Sequence, residues 1–359
     1  MSHRGHIVLL PPNRVWRTYP GGATLDGITG QSPPRDSHFA EDWIGSTTRA
    51  VNPARESIYE GVSQVRLDNE THDLAELVAS DPEYFLGADH VATHGLSLKL
   101  LVKYLDSAVR LHFQCHPSPD FARRILNSPS GKTEAYHILG VREDITAPYI
   151  YVGFQSPPKL DALKTMIEQQ DIAGLEQCFE KIAIKPGDTY FIPGGIPHAL
   201  GEGVFMVEIQ EPTDFAVRFE YEKAGYVLPE AARFMGRGID FGLSMIDLTP
   251  YPLTEVRQKF FCAGGSRKTL GITSFEETLI GPDRTDRFKV AKAFINEATS
   301  FHDESFSINI VTAGSVDVTV DGRTHTLHQY DKFFYPALLG AIDLRPHGSA
   351  EILRCYPPS

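Results

Sequence analysis

The chain has 359 residues, 42% hydrophobic and 22% charged, with 34 basic residues against 46 acidic ones and a formal charge of −12. This composition excludes a disordered tail, a collagen and a coiled coil, and the length allows two or three units of roughly 150 residues each. A field of this sign repels nucleic acid and anionic membrane surfaces, and no run of Lys or Arg interrupts it, so neither is expected as a partner. No apolar stretch approaches the roughly 18 residues of a membrane span, and the start, Met1 to His6, lacks a secretory pattern. Cys115, Cys178, Cys262 and Cys355 are scattered without a CxxC pair, which predicts a reduced, cytoplasmic protein.

Twenty-five prolines and 30 glycines predict many turns and short strands rather than long helices. Thr71 to Ala79 carries capping chemistry and apolar residues at Leu74, Leu77 and Val78, the pattern of a short surface helix. Ser97 to Leu105 and Arg110 to His116 read as strands. Leu160 to Gln169, with Leu160, Leu163, Met166 and Ile167, predicts a helix, and Ile172 to Phe179 continues that spacing. Phe205 to Gln210 is again a strand. From about residue 221 to 260 the pattern is mixed and more helical, with Pro229 placed to open a helix at its first position. After Thr273 the chain is strand-like to its end, with a hairpin at Asp321-Gly322 between Val316–Val320 and Thr324–Leu327.

An internal repeat organises these elements. Asp188-Thr189-Tyr190-Phe191-Ile192-Pro193 and Asp331-Lys332-Phe333-Phe334-Tyr335-Pro336 share the pattern D-x-aromatic-Phe-x-Pro. Five residues past the first proline stands His198; five past the second stands Ala341. If the two blocks are duplicated units, the second has lost a histidine and is structural.

Three segments carry chemistry. In Leu111 to Pro117, the two-residue period of a strand puts His112, Gln114 and His116 on one face and Phe113 and Cys115 on the other. Taken alone, this reads equally well as a polar-faced surface strand. In Gly131 to Tyr136, the same period aligns Lys132, Glu134 and Tyr136, which by itself is no more than a solvated ion pair. Gly187 to His198 is the most specific of the three. Its glycines and prolines define tight corners, and His198 follows the last of them, although a loop histidine in an ordinary hairpin would also fit.

Together, Gln114-Cys115-His116-Pro117, Gly131-Lys132-Thr133-Glu134, Pro193 to Ala199 and Asp214-Phe215-Ala216-Val217-Arg218 resemble, in order and spacing, the motifs of type I mannose-6-phosphate isomerases of the cupin superfamily. Weaker echoes stand at Asn13 to Trp16 and Glu41-Asp42-Trp43, so the likeness extends over most of the chain. The resemblance implies a mainly β fold of tandem cupin (double-stranded β-helix) barrels with a helical segment between them. Residues 1–220 would form the metal-binding catalytic unit, 221–265 the mixed connecting segment, and 266–359 a second barrel without metal ligands.

The resemblance also implies Gln114, His116, Glu134 and His198 as ligands of one zinc ion per chain, and Lys132 and Arg218 as catalytic, substrate-facing cations. A set of two imidazoles, a carboxylate and an amide oxygen suits zinc rather than calcium or magnesium. Cys115, on the opposite face, is expected not to be a ligand. His112 stands where the family commonly has a small hydroxyl residue, Tyr136 where many members have Trp, and Phe215-Ala216-Val217 where Thr and Tyr are usual. His112, Tyr136 and Glu208 are therefore assigned to substrate binding, Glu208 also as a candidate base.

The expected reaction interconverts mannose 6-phosphate and fructose 6-phosphate through an enediol(ate), in a monomer or homodimer with a small sugar phosphate as its partner. A metal-dependent cupin isomerase or epimerase of a different or an unphosphorylated sugar is the alternative, and a non-catalytic sugar-binding cupin is the second.

Overall fold

A computed structural model describes residues 4–67 and 70–358. Met1, Ser2 and His3, part of the start discussed above, lie outside the described residues. The protein is mainly β, and among the described residues three larger sheets build it beside two two-stranded ones. A six-stranded sheet runs, edge to edge, through Thr189–Ile192, Glu134–Val141, Val204–Gln210, Leu101–Asp106, Glu41–Ile44 and Arg14–Val15. A five-stranded sheet runs through Ile182–Ala183, Tyr149–Val152, His198–Leu200, Gln114–Cys115 and Val217–Arg218. A nine-stranded sheet takes most of the chain after residue 266, and its edge is the amino-terminal strand Val8–Leu9, paired with Lys332–Tyr335. No helix among the described residues is long and apolar enough to cross a membrane, and all four cysteines are unpaired and buried.

Local chemistry accounts for the element ends. The predicted helix at Leu160–Gln169 is present, with Leu163 and Ile167 buried at a four-residue spacing. The helix expected from Thr71 starts later, at Leu74, because Glu70–Asp73 pairs with Gln64–Leu67 and the Asp73 carboxylate caps the amides of Ala75 and Glu76. Pro229 is the residue before the helix Glu230–Arg233 rather than its first turn. The strand expected over Ser97–Leu105 is confined to Leu101–Asp106. That expected over Arg110–His116 shrinks to Gln114–Cys115, since the Phe113 amide turns to the Glu220 carboxylate instead of a ladder partner. At Asp321-Gly322, φ values of 46° and 77° give the two left-handed positions of a type I′ hairpin.

The two hexapeptide repeats occupy matching places. Thr189–Ile192 flanks Glu134–Val141, which is flanked in turn by Val204–Gln210. Lys332–Tyr335 flanks Ser307–Val320, which is flanked in turn by Ile342–Tyr356. The registers then superpose residue on residue. Glu208 faces Tyr136 and Lys103, while Arg354 faces Asn309 and Ala291. By the same count Glu276 stands where Glu41 does, and Ser307 where Glu134 does. In the carboxy-terminal unit Arg354 is buried, ion-paired to Glu276 and Asp303, and stacked under Phe301 at 4.0 Å. An arginine fixed between two acids thus fills the position that Glu208 takes in the first unit.

Two buried contacts join the units. Lys332 pairs with Asp42, and the Tyr104 hydroxyl donates to the Tyr330 carbonyl at 3.0 Å. Asp42 and Tyr104 are strand neighbours of Glu41 and Lys103, which point the other way, into a cleft.

Candidate metal centre and active site

The cleft lies between the five- and six-stranded sheets and is lined by polar groups including His112, Gln114, His116, Lys132, Tyr136, Glu208 and Arg218. The corner after Ile192 is built by close backbone approach. A Cβ on Gly194 would lie 2.5 Å from Ser118 Cα, and one on Gly131 would lie 2.5 Å from the Pro117 carbonyl, so both loops press directly on the Pro117-Ser118 backbone. The Gly195 amide then donates to the His116 carbonyl at 2.7 Å. Three segments distant in sequence are locked together at this point, and each delivers one side chain to the same place.

Those side chains are His116, Glu134 and His198. Their donor atoms all lie within 4.8 Å of one another, and all three residues are buried. Among the described residues no other group of three or more His, Cys, Asp or Glu converges in this way. Each ring places its Nδ1 2.8 Å from a backbone carbonyl, His116 at Phe215 and His198 at Ile196. Nδ1–H donation there leaves each Nε2 lone pair turned toward Glu134, at 3.4 and 3.1 Å from its oxygens. Burial, and then the Lys132 charge, hold His116 well below the ordinary imidazole value, in the neutral form that ligates a cation. Burial opposes ionisation of Glu134, but the Lys132 ammonium at 2.6 Å outweighs it and keeps the carboxyl well below its usual range. The Gln114 amide lies 3.4 Å from His198 Nε2, close enough to join the set. Cys115 faces away into an apolar cluster with Phe113. The donor set and its fixed tautomers fit a divalent metal.

A chain of ion pairs extends from these residues. Lys132 Nζ lies 2.6 Å from Glu134, 2.9 Å from His116 Nε2 and 3.2 Å from Glu208. Lys103 Nζ lies 3.4 Å from Glu208 and 3.6 Å from Glu41. Glu41 also accepts from Tyr19 and Trp43 and pairs with Arg17 at 3.1 Å. Strand alternation left it open whether Glu208 points inward. It does, held between two lysines. The Tyr136 hydroxyl donates to Glu134 at 2.5 Å. His112 lines the cleft with its Nε2 buried and unpartnered; burial and then the charge of Arg218 drive its basicity far down. Arg218 donates to the Ala232 carbonyl at 3.4 Å and, among the described residues, has no carboxylate within ion-pair distance.

Sequence reasoning missed Arg17, Tyr19 and Lys103 as cleft residues. Lys103 alone had left a signal, a cation within a mostly apolar strand, because a buried lysine demands acidic partners.

No protein-family model matches the chain. A curated Bacillus subtilis relative named "Probable mannose-6-phosphate isomerase GmuF" is 35% identical over 266 residues, which is 73% of this chain and 76% of the relative. The chain belongs to the mannose-6-phosphate isomerase family. A second B. subtilis family relative, YvyI, is 29% identical over 327 residues, 90% of each chain. The fold agrees. The crystal structure of mannose 6-phosphate isomerase from B. subtilis superposes with a TM-score of 0.74 at 23% identity, over 98% of this chain and 99% of that one. A point mutant of phosphomannose isomerase from Salmonella typhimurium gives 0.71 at 16% identity, over 98% and 100%. The family that the motifs resemble is thus the one the comparisons over most of the chain reach, and it is a family of enzymes with the cupin fold.

Proposed function

We propose that this protein is a zinc-dependent isomerase of mannose 6-phosphate and fructose 6-phosphate. The observation that carries the reading is the meeting, in one cleft, of a two-histidine, one-carboxylate set with an arginine that forms no ion pair among the described residues. His116, Glu134, His198 and the Gln114 amide oxygen hold the ion, one per chain. Bound there, zinc supplies Lewis-acid stabilisation of the negative charge that develops on the sugar oxygens.

The chain's own groups do the rest. Glu208 is the base that carries a proton between C2 and C1 of the open-chain sugar as the enediol(ate) forms and collapses. Lys103 and Lys132, 3.4 and 3.2 Å from its carboxylate, hold it in place, and Lys132 also hydrogen-bonds a sugar oxygen. Tyr136 borders the sugar while fixing the Glu134 oxygen. Arg218 receives the phosphoryl group, with His112 beside it as a second hydrogen-bonding partner. The cleft holds four cations, Arg17, Lys103, Lys132 and Arg218, against four carboxylates, Glu41, Glu134, Glu208 and Asp214. A divalent ion makes the sum positive, which favours a phosphorylated substrate over a neutral sugar. Residues 1–220 act as the catalytic unit, 221–265 as the connector and 266–359 as its support. We place the reaction in the cytoplasm, where four unpaired thiols stay reduced.

The test compares mannose 6-phosphate with mannose on the purified protein. Formation of fructose 6-phosphate is expected, with kcat/KM at least about tenfold lower for the unphosphorylated sugar, as loss of one charge-assisted contact dictates. Equal turnover of mannose would overturn the substrate assignment.

A further inference from the structure

Arg218 lies four residues after Asp214, and each charge acts on the other, yet the two form no ion pair. The reason is a different arginine, 197 residues away in sequence. Arg17 grips Asp214 with both terminal nitrogens, 2.9 Å to each carboxylate oxygen. Its remaining donors reach Glu41 at 3.1 Å and Asn52 at 3.3 Å. Both partners of this bidentate pair are buried against solvent, with side chains only 7% and 5% exposed. A two-pronged guanidinium–carboxylate pair is the strongest arrangement open to either group. Asp214 is therefore saturated, and Arg218 keeps its donors for something else.

We infer that Arg17 is a positioning residue: by occupying Asp214 it keeps the Arg218 guanidinium uncommitted for the anionic group of the substrate. The inference rests on the reading of Arg218 given above. Without Arg17, Asp214 is a buried carboxylate beside an unpaired arginine, and the two close on each other.

The experiment measures inorganic phosphate binding to the zinc-loaded protein by calorimetry, alongside KM and kcat for mannose 6-phosphate. Arg17→Met is expected to weaken phosphate binding by about tenfold or more and to raise KM to match, with a smaller change in kcat. Adding Asp214→Asn to that variant removes the competing carboxylate and also the unpaired buried charge. The double variant is expected to recover most of the phosphate affinity, which a purely structural role for Arg17 would not produce. Arg17→Lys, which reaches one carboxylate oxygen, falls between.

An unchanged phosphate affinity in Arg17→Met, or a double variant as weak as the single one, would overturn the inference. Should Arg17→Met not fold, the double variant alone still decides, because the inference requires it to bind phosphate. If Arg218→Met binds phosphate as well as the parent, the reading of Arg218 falls and the inference with it. That outcome is separable from a normal Arg218 effect combined with no Arg17 effect.

Discussion

Glu134→Ala is expected to lower kcat/KM by about 10^3-fold or more and to reduce bound metal to well under one ion per chain. The carboxylate does three things at once. It stands within 3.4 Å of both imidazole Nε2 atoms, it takes the Lys132 ammonium, and it accepts the Tyr136 hydroxyl. Its loss leaves two histidines and an amide to hold a dication, with a buried lysine nearby whose remaining carboxylate is Glu208. Cation repulsion from that lysine then opposes rebinding of the metal, so adding zinc does not restore the variant. Metal content by atomic emission and a coupled isomerase assay check both parts. Full metal occupancy in Glu134→Ala would contradict the ligand assignment, whatever the activity.

The second large effect lies in the carboxy-terminal unit. Arg354→Ala strands Glu276 and Asp303 in an interior from which their cation has gone. Breaking a buried pair from one side costs about 3–5 kcal/mol. Loss of the guanidinium stacked on Phe301 adds a packing term. Burial already raises the Asp303 carboxyl despite Arg354, so without the arginine it holds its proton at higher pH still. The melting temperature is expected to fall by roughly 10 °C, following the usual conversion of stability into Tm. The folded variant is expected to keep its isomerase kinetics, because Arg354 touches no residue of the cleft. Thermal denaturation and steady-state kinetics on the same preparation separate the two. A collapse of kcat with an unchanged melting temperature would mean that this unit does more than support the first.

The metal ligands were legible because each sits in a short motif whose spacing has a physical reason. Alternation along a strand brings Gln114 and His116 to one face, and glycines that admit a neighbouring backbone set the corner before His198. The hairpin at Asp321-Gly322 was legible for the same reason, since few residue pairs accept two left-handed positions in a row. Arg17 was invisible because its partner Asp214 is remote in sequence, and no local pattern records such a pairing. Tyr19, which acts on Glu41, was hidden in the same way. Lys103 was overlooked because a mostly apolar run, even with lysines at Lys99 and Lys103, reads first as a strand. The alternation that left Glu208 undecided was resolved only by its cross-strand neighbour Lys103, which turns the carboxylate inward. Strand ends were least legible where a side chain captures a backbone amide, as Glu220 does at Phe113.

The measurement that tests the central claim most directly follows fructose 6-phosphate formation from mannose 6-phosphate by the purified protein, before chelation, after it, and after one equivalent of zinc is returned. The account predicts turnover that is lost on chelation and restored by that single equivalent. Undiminished turnover in protein shown to be free of metal would contradict it.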